Sequence, residues 1–360
     1  MKKVLFVATV TVHINSFHIP YLKMFKEKGY EVHVASFGEE KIEYCDKHFN
    51  IPFARFPLKP QNYRAYKELK KIIEDNNYET IHCHTPVGGV LTRLAARKER
   101  KNGTRVIYTA HGFHFFKGAP LLNWLIYYPL EKWLSKYTDC LITINQEDYD
   151  MARRKFKAKQ IELVHGIGVD ESKFDFEMTE GEKHELRESL GLKEDDFVLI
   201  QIGELNKNKN QIMAINAMRD LVKENSKIHL LLVGRGILEN FYKQKINEYN
   251  LSNNVHLLGY RKDIPELLNI SDVLLSLSYR EGLPVNLIEG LMCGLPIICT
   301  DCRGNRDIVS GIANGYKVFN ERDIILNIIN NKNIKKMKNR EIIKRYELDT
   351  IKESMKKIYD

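Results

Sequence analysis

Along the first 165 residues, short apolar, β-branched runs alternate with longer helix-sized segments. "KVLFVA" (3–8), "EVHVAS" (31–36), "TIHCH" (80–84), "RVIYTA" (105–110) and "CLITI" (140–144) have the length and composition of strands. A parallel strand needs a crossover, usually a helix, so the alternation predicts an α/β fold with a doubly wound parallel sheet. The same pattern then restarts with "DFVLIQIG" (196–203), "IHLLLVG" (228–234), "VHLLG" (255–259), "VLLSLS" (273–278) and "PIICT" (296–300), predicting a second sheet of the same kind. A length of 360 residues fits two such domains, each with its own core. The polar stretch from Gly166 to Asp196 reads as a hinge or linker, which sets the domains at 1–165 and 166–345. In the remaining 346–360, Ile351, Met355 and Ile358 recur at helical spacing, predicting a helix that packs back on the first domain. The Asn/Lys-rich stretch 327–340 reads as solvated surface.

Composition narrows the class. A hydrophobic fraction of 43% and a charged fraction of 29% are those of a folded globular protein rather than a disordered one. No apolar run approaches the roughly 18 residues of a membrane span. Met1-Lys2-Lys3-Val4 leads into a strand with no signal-peptide pattern, so the expectation is a cytoplasmic protein. Of the six cysteines only Cys299 and Cys302 are closely spaced, with no second pair to complete a zinc site, so buried free thiols are expected. Charge adds a sharper point. Residues 1–164 carry 27 Lys+Arg against 17 Asp+Glu, +10, and the remainder of the total of +9 is −1. The basic first half implies an anionic partner such as nucleic acid, a membrane surface or a phosphorylated acceptor; no nucleic-acid motif is present, and peripheral attachment to an anionic membrane surface is expected. "FHFFKGAPLLNWLIYYPLEKWL" (113–134), with Phe, Trp, Tyr and Leu beside lysines, suits such an interface, although part of it also reads as a core helix.

Ligands of open parallel sheets bind outside the carboxyl ends of the strands. In the second half those ends are "GELNKNKNQ" (203–211), "GRGILEN" (234–240), "GYRKDIPE" (259–266), "SYREGLP" (278–284) and "TDCRGNRD" (300–307), all rich in glycine and charge. Pro284 predicts a helix starting at 283–285, whose free N–H groups and dipole would attract a diphosphate. Glu281 then stands in the loop before it. Glu289 lies about five residues, roughly 7 Å, into the helix, where a carboxylate could accept the hydroxyls of a ribose. Two glutamates are ordinarily surface charges; apolar Leu287, Ile288, Leu291 and Met292 around Glu289, and glycines at 282, 290 and 294, argue for a closer role here.

The segment "REGLPVNLIEGLMCGLPIICTDCRGNRDIV" (280–309) resembles the signature of the retaining family-four glycosyltransferases, and the likeness extends to "IHCHTPVGGVLTRLAAR" (81–97), "YTAHGFHFFKGAP" (108–120), "LVHGIGVDESKF" (163–174) and "GELNKNKN" (203–210). Within that family the chain is most similar to bacterial capsule and exopolysaccharide enzymes. The resemblance implies a GT-B fold, two Rossmann-like domains facing across a cleft, and transfer of a hexose or N-acetylhexosamine from a UDP-sugar co-substrate to a polyprenyl-diphosphate-linked saccharide, with retention at the anomeric carbon and no further cofactor. It gives Glu289 the ribose, and Glu281 with the main chain of Gly282, Leu283 and Pro284 the donor sugar and diphosphate. Lys209 matches the phosphate-binding lysine and Gly203 opens its loop; His111 matches a first-domain histidine near the anomeric centre; the main chain at Tyr260 and Arg261 grips the base. His82, His84, His114 and His165 are expected to be structural.

Two departures stand out. Glu204 occupies the place of a frequent arginine, leaving Lys207 or Arg235 to replace it, and "TVTVHINSFHIP" (9–20) replaces a glycine-rich loop. No Asp-x-Asp offers paired carboxylates to a metal–diphosphate complex, so transfer without a metal is expected. The alternatives are a nucleotide-sugar epimerase of the same fold and a non-catalytic binding protein; an assay with donor alone separates the first.

Overall fold

The computed structural model describes residues 1–312, 315–330 and 336–360. It divides into two compact units, Met1–Ile167 with Lys352–Asp360, and Gly168–Ile351. The first holds seven strands: β1 (Lys3–Val10), β2 (Glu31–Phe37), β3 (Lys47–Asn50), β4 (Thr80–His84), β5 (Arg105–Ala110), β6 (Cys140–Thr143) and β7 (Gln160–Leu163). The second holds six: β8 (Phe197–Ile202), β9 (Ile228–Val233), β10 (Val255–Gly259), β11 (Val273–Ser276), β12 (Ile297–Thr300) and β13 (Gly315–Val318). The sheet orders are β3-β2-β1-β4-β5-β6-β7 and β10-β9-β8-β11-β12-β13, with parallel neighbours throughout. Each sheet therefore reverses its winding once, between β1 and β4 in the first and between β8 and β11 in the second, which is where such sheets bind ligands.

The near-continuous hydrophobic runs arise because helices cover both faces of each sheet. In the second unit Val198, Ile200, Leu231, Val233 and Leu274 enter one core, while their neighbours Leu199, Leu230, Leu232, Val273 and Leu275 enter the other. The first sheet has a comparable core behind Leu5, Val7, Ile81, Cys83, Val106 and Tyr108. Its opposite face carries Phe6, His82, His84 and Thr109, all buried, and so puts polar rings where aliphatic ones would be ordinary.

Several segments depart from the expectations. The strands β3, β7 and β13 are short sheet neighbours with partly exposed, polar positions, a pattern too weak to read as strand. Residues 9–20 are not a loop: β1 runs to Val10, and helices Thr11–Phe17 and Ile19–Glu27 follow at once. The 166–196 stretch contains the helix Glu180–Ser189, opened by a capping box in which Thr179 and Glu182 satisfy each other's backbone N–H groups. Of the stretch 327–340, residues 331–335 lie outside the described residues. The C-terminal helix Leu348–Tyr359 buries Ile351, Met355 and Tyr359. Within the first unit the Tyr359 hydroxyl bonds His82 Nδ1 at 2.7 Å and Asp360 pairs with Lys28.

Candidate functional site

At the winding reversal of the second unit, the loops after β8 and β11 are tied into one surface. The "NKNKN" run (206–210) works as a set of braces. Asn206 Oδ1 accepts the Lys209 N–H at 3.0 Å, Asn208 Nδ2 donates to Arg280 O at 3.1 Å, and its carbonyl accepts the Tyr279 N–H at 2.9 Å. Asn210 takes a left-handed conformation (φ 54°) that asparagine tolerates, and its side chain donates to Leu277 O at 3.2 Å. Gln201, inside β8, holds Lys209 O at 2.8 Å. The result is an ion pair between the two loops, Lys209 Nζ to Glu281 Oε1 at 2.6 Å, with both side chains partly buried. Gly203 lets the lysine chain pass: a Cβ there would stand 3.1 Å from Lys209 Cε.

The helix following Glu281 spans Val285–Met292, and Pro284 is its N-cap rather than its first helical residue. No capping side chain covers its N-terminus, so its first N–H groups are available to a ligand. Asn286 anchors the helix to the end of β8 through Ile202 O at 3.0 Å. Gly290 lets it press on β11, because a Cβ there would lie 2.3 Å from Leu274 Cδ2. Glu289 is half-buried in this apolar setting, and burial lifts its carboxyl from the usual 4.5 to about 7. Leu283 packs partly against the core, and Gly282 O is approached closely by Gly304.

The structure thus brings Gly203, Lys209, Glu281, Gly282, Leu283, Pro284 and Glu289 onto one set of strand ends. Lys207 is exposed, and Arg235 likewise; Glu204 is exposed and accepts a bond from Asn206 at 3.0 Å. Tyr260 (67% exposed) and Arg261 follow β10, which β9 separates from β8, and Arg261 is paired with Asp263. Arg303, not singled out from sequence, is buried and donates to Glu281 O at 3.0 Å, bracing the loop from below. Its signal was the charge in "TDCRGNRD", but nothing in that string says the guanidinium turns inward. The chain contains one Asp-x-Asp, Asp148-Tyr149-Asp150, and it sits on the helix Gln146–Lys155 of the first unit. There Asp148 accepts from Phe113 N at 3.0 Å and Asn145 Nδ2 at 2.9 Å, a structural use. The six thiols are free, and burial pushes Cys299 up to about 12.

His111 lies in the first unit, just past β5, with Nε2 buried and unpartnered. It stands in a group of histidines larger than the sequence reading anticipated. His13, on the helix after β1, His18 at the junction of two helices, and His84 at the end of β4 stand around it. Burial drives His13 down to about 4 and His111 and His82 to about 3, and holds His18 and His84 well below the usual range, so all five rings are neutral near pH 7.

The family model described as "Glycosyl transferases group 1" matches residues 182–349, and that described as "Glycosyl transferase 4-like" matches 3–145. The chain is 48% identical to the glycosyltransferase EpsD of Bacillus subtilis (strain 168), covering 88% of this chain and 83% of that protein. It is 30% identical to the UDP-Gal:alpha-D-GlcNAc-diphosphoundecaprenol alpha-1,3-galactosyltransferase of Escherichia coli, covering 75% of this chain and 70% of that protein. Among solved structures, Anabaena HepE in complex with UDP and glucose superposes with a TM-score of 0.77 over 100% of this chain and 99% of that one, at 18% identity, a likeness of fold.

Proposed function

The chain belongs to the group 1 glycosyltransferases, with the GT-B fold of two Rossmann-like units, and we propose that within this family it moves a hexose or N-acetylhexosamine from a UDP-sugar to a polyprenyl-diphosphate-linked saccharide, retaining anomeric configuration, in the assembly of a bacterial surface polysaccharide. The observation that carries this reading is the Lys209–Glu281 pair at the strand ends of β8 and β11, beside the uncapped N-terminus of Val285–Met292. Cation and helix end stand where a diphosphate would leave. The relative acting on a UDP-sugar and a diphosphoundecaprenol acceptor supports the choice of donor and acceptor.

In the proposed reaction Glu289 accepts the ribose hydroxyls, the main chain at Tyr260 and Arg261 meets the base, and Glu281 with the Gly282–Pro284 loop orients the diphosphate and sugar. The acceptor oxygen attacks the anomeric carbon as its bond to the diphosphate oxygen breaks. The acceptor's proton passes to that departing oxygen on the same face, so no side chain has to be a strong base. Lys209 and the helix N-terminus offset the charge that develops on the diphosphate, a contribution that usually dominates such a step. Lys207 is free to add a second cation, and His111 contacts the sugar through Nδ1, its Nε2 being buried within the first unit.

A membrane-bound acceptor fits the first unit. Its helix Leu121–Leu134 exposes Leu121, Leu122, Leu125 and Ile126, 51–74% each, on one stripe, and residues 1–164 carry a net charge of +10. That combination suits reversible attachment to an anionic inner leaflet. Among the described residues no helix is long and apolar enough to cross a membrane. The test is product formation from a panel of nucleotide sugars offered with short polyprenyl-diphosphate saccharides. Transfer from a UDP-sugar with retained configuration supports the reading; consumption of donor without any acceptor product overturns it.

A further inference from the structure

We propose that His13, His18, His84 and His111 form a binding site for one divalent transition metal of the zinc class, at the winding reversal of the first sheet. One ligand nitrogen from each of the four rings lies within 4.8 Å of every other. The rings come from four separate places: the helix after β1, the turn ending that helix, the end of β4, and the residue after β5. Nothing in local sequence spacing forces them together; the topology does, since β1, β4 and β5 are successive strands in the sheet.

Five of the six ring-centre separations lie near those of a tetrahedral site. Zinc binds imidazole nitrogen at about 2.0–2.1 Å, which sets ligand nitrogens roughly 3.3 Å apart and ring centres roughly 5.2 Å apart. His13 Nε2 and His18 Nε2 share a hydrogen bond at 3.2 Å, already the spacing of two zinc ligands, and would exchange that bond for the metal. Ring centres are separated by 4.8 Å for His13–His111, 5.1 Å for His13–His18, 5.7 Å for His84–His111, 5.8 Å for His13–His84 and 6.2 Å for His18–His111. The stacked pair His18–His84, at 3.8 Å, is the one that has to open.

Unmet bonding capacity points the same way. Both nitrogens of His84, His18 Nδ1 and His111 Nε2 are buried without a hydrogen-bond partner, a state that ordinarily destabilises a fold. A cavity of about 20 Å³ adjoins His18, His84 and His111. The neighbouring His82 shows what a purely structural histidine does here, for its nitrogens are taken by the hydroxyls of Tyr359 at 2.7 Å and Thr109 at 2.8 Å. Four neutral imidazoles offer lone pairs to a borderline-soft ion such as zinc, and no oxygen set suited to magnesium or calcium.

The test uses the full chain, stripped with chelator and dialysed against zinc chloride, with metal content measured directly; cobalt(II) serves as the spectroscopic substitute. The expected result is one zinc per chain and a cobalt absorption of tetrahedral intensity. His13→Gln should bind at least tenfold more weakly, while His184→Ala, an exposed histidine of the other unit, should bind as the parent does. Should His13→Gln fail to fold by circular dichroism, imidazole nitrogen resonances of the parent answer instead: zinc should shift the four clustered histidines and leave His82 and His184 in place. No stoichiometric zinc, an octahedral cobalt spectrum, unchanged binding by folded His13→Gln, or shifts spread over other histidines overturns the site. Because none of these readouts requires a donor, failure here is separable from failure of the transferase reading.

Discussion

Glu289 should make this protein less stable, and better at holding its donor, as pH rises. Its carboxyl is lifted from 4.5 to about 7 by burial, so between those values the folded protein keeps a proton that the unfolded chain has released. Stability falls with pH wherever the folded state binds more protons; the contribution is complete below pH 4.5 and lost as pH passes through 7. A shift of that size corresponds to about 3 kcal/mol. Glu289→Gln mimics the protonated acid, so the difference between variant and parent isolates this one group from every other carboxylate. Denaturant unfolding of the ligand-free proteins should show near-equal stability at about pH 4 and a variant more stable by about 3 kcal/mol at about pH 8. Donor binding should run oppositely. A ribose hydroxyl donates best to a carboxylate, and a UDP-sugar does not itself titrate in this range. Parent affinity, measured by calorimetry, should therefore improve about tenfold from pH 6 to pH 8, while the variant's stays flat and weaker at pH 8. A variant no more stable than the parent at pH 8, or a parent whose donor affinity ignores pH, would refute the argument from burial.

Other expectations follow from the same geometry. Lys209→Ala should lower kcat by about 10²–10³ with the fold intact, as expected for loss of one group that stabilises departing charge, whereas Glu281→Gln should act on turnover more than on donor affinity; steady-state kinetics with unaltered kcat in both would refute their placement. Transfer should survive excess chelator, since Lys209 and the helix end stand where a magnesium ion would otherwise act; loss of turnover restored by magnesium or manganese overturns this. In the first unit Arg93 is fully buried, 2.8 Å from Glu131 and with its guanidinium 3.9 Å from the Tyr108 ring centre. Glu131→Ala should cost about 3–5 kcal/mol by denaturant unfolding, and the double change Arg93→Met/Glu131→Leu much less, because only the single change strands a buried charge. Leu121→Ser/Leu125→Ser should reduce cosedimentation with anionic vesicles at least tenfold, and binding by the parent should weaken at high salt; indifference to both changes would remove the membrane from the proposal.

What could be read from the chain alone divides along physical lines. Ten of the strands were legible because a sheet covered on both faces demands unbroken apolar runs such as "IHLLLV", and no other element of that length does. The remaining β3, β7 and β13 were not, since their partly exposed positions relax that demand. On the donor side, the helix start and the carboxylates Glu281 and Glu289 stood out as a pattern because they lie on one strand–loop–helix, local in sequence, whereas Lys209 comes from the loop after β8, 72 residues from Glu281. Even there the braces escaped notice: Asn206, Asn208, Asn210 and Arg303 act through bonds to main-chain atoms up to 72 residues away, and no spacing rule reports those. The histidine group is the extreme case. "TVTVHINSFHIP" stands where the resemblance implies a loop, yet its helices Thr11–Phe17 and Ile19–Glu27 deliver His13, and the junction between them His18, to the ends of β4 and β5. His84 and His111, 27 positions apart and on successive strands, become neighbours only through strand order. A site assembled by topology leaves no motif, so the argument for it lies in the clustering of four rings whose buried nitrogens are in part without hydrogen-bond partners.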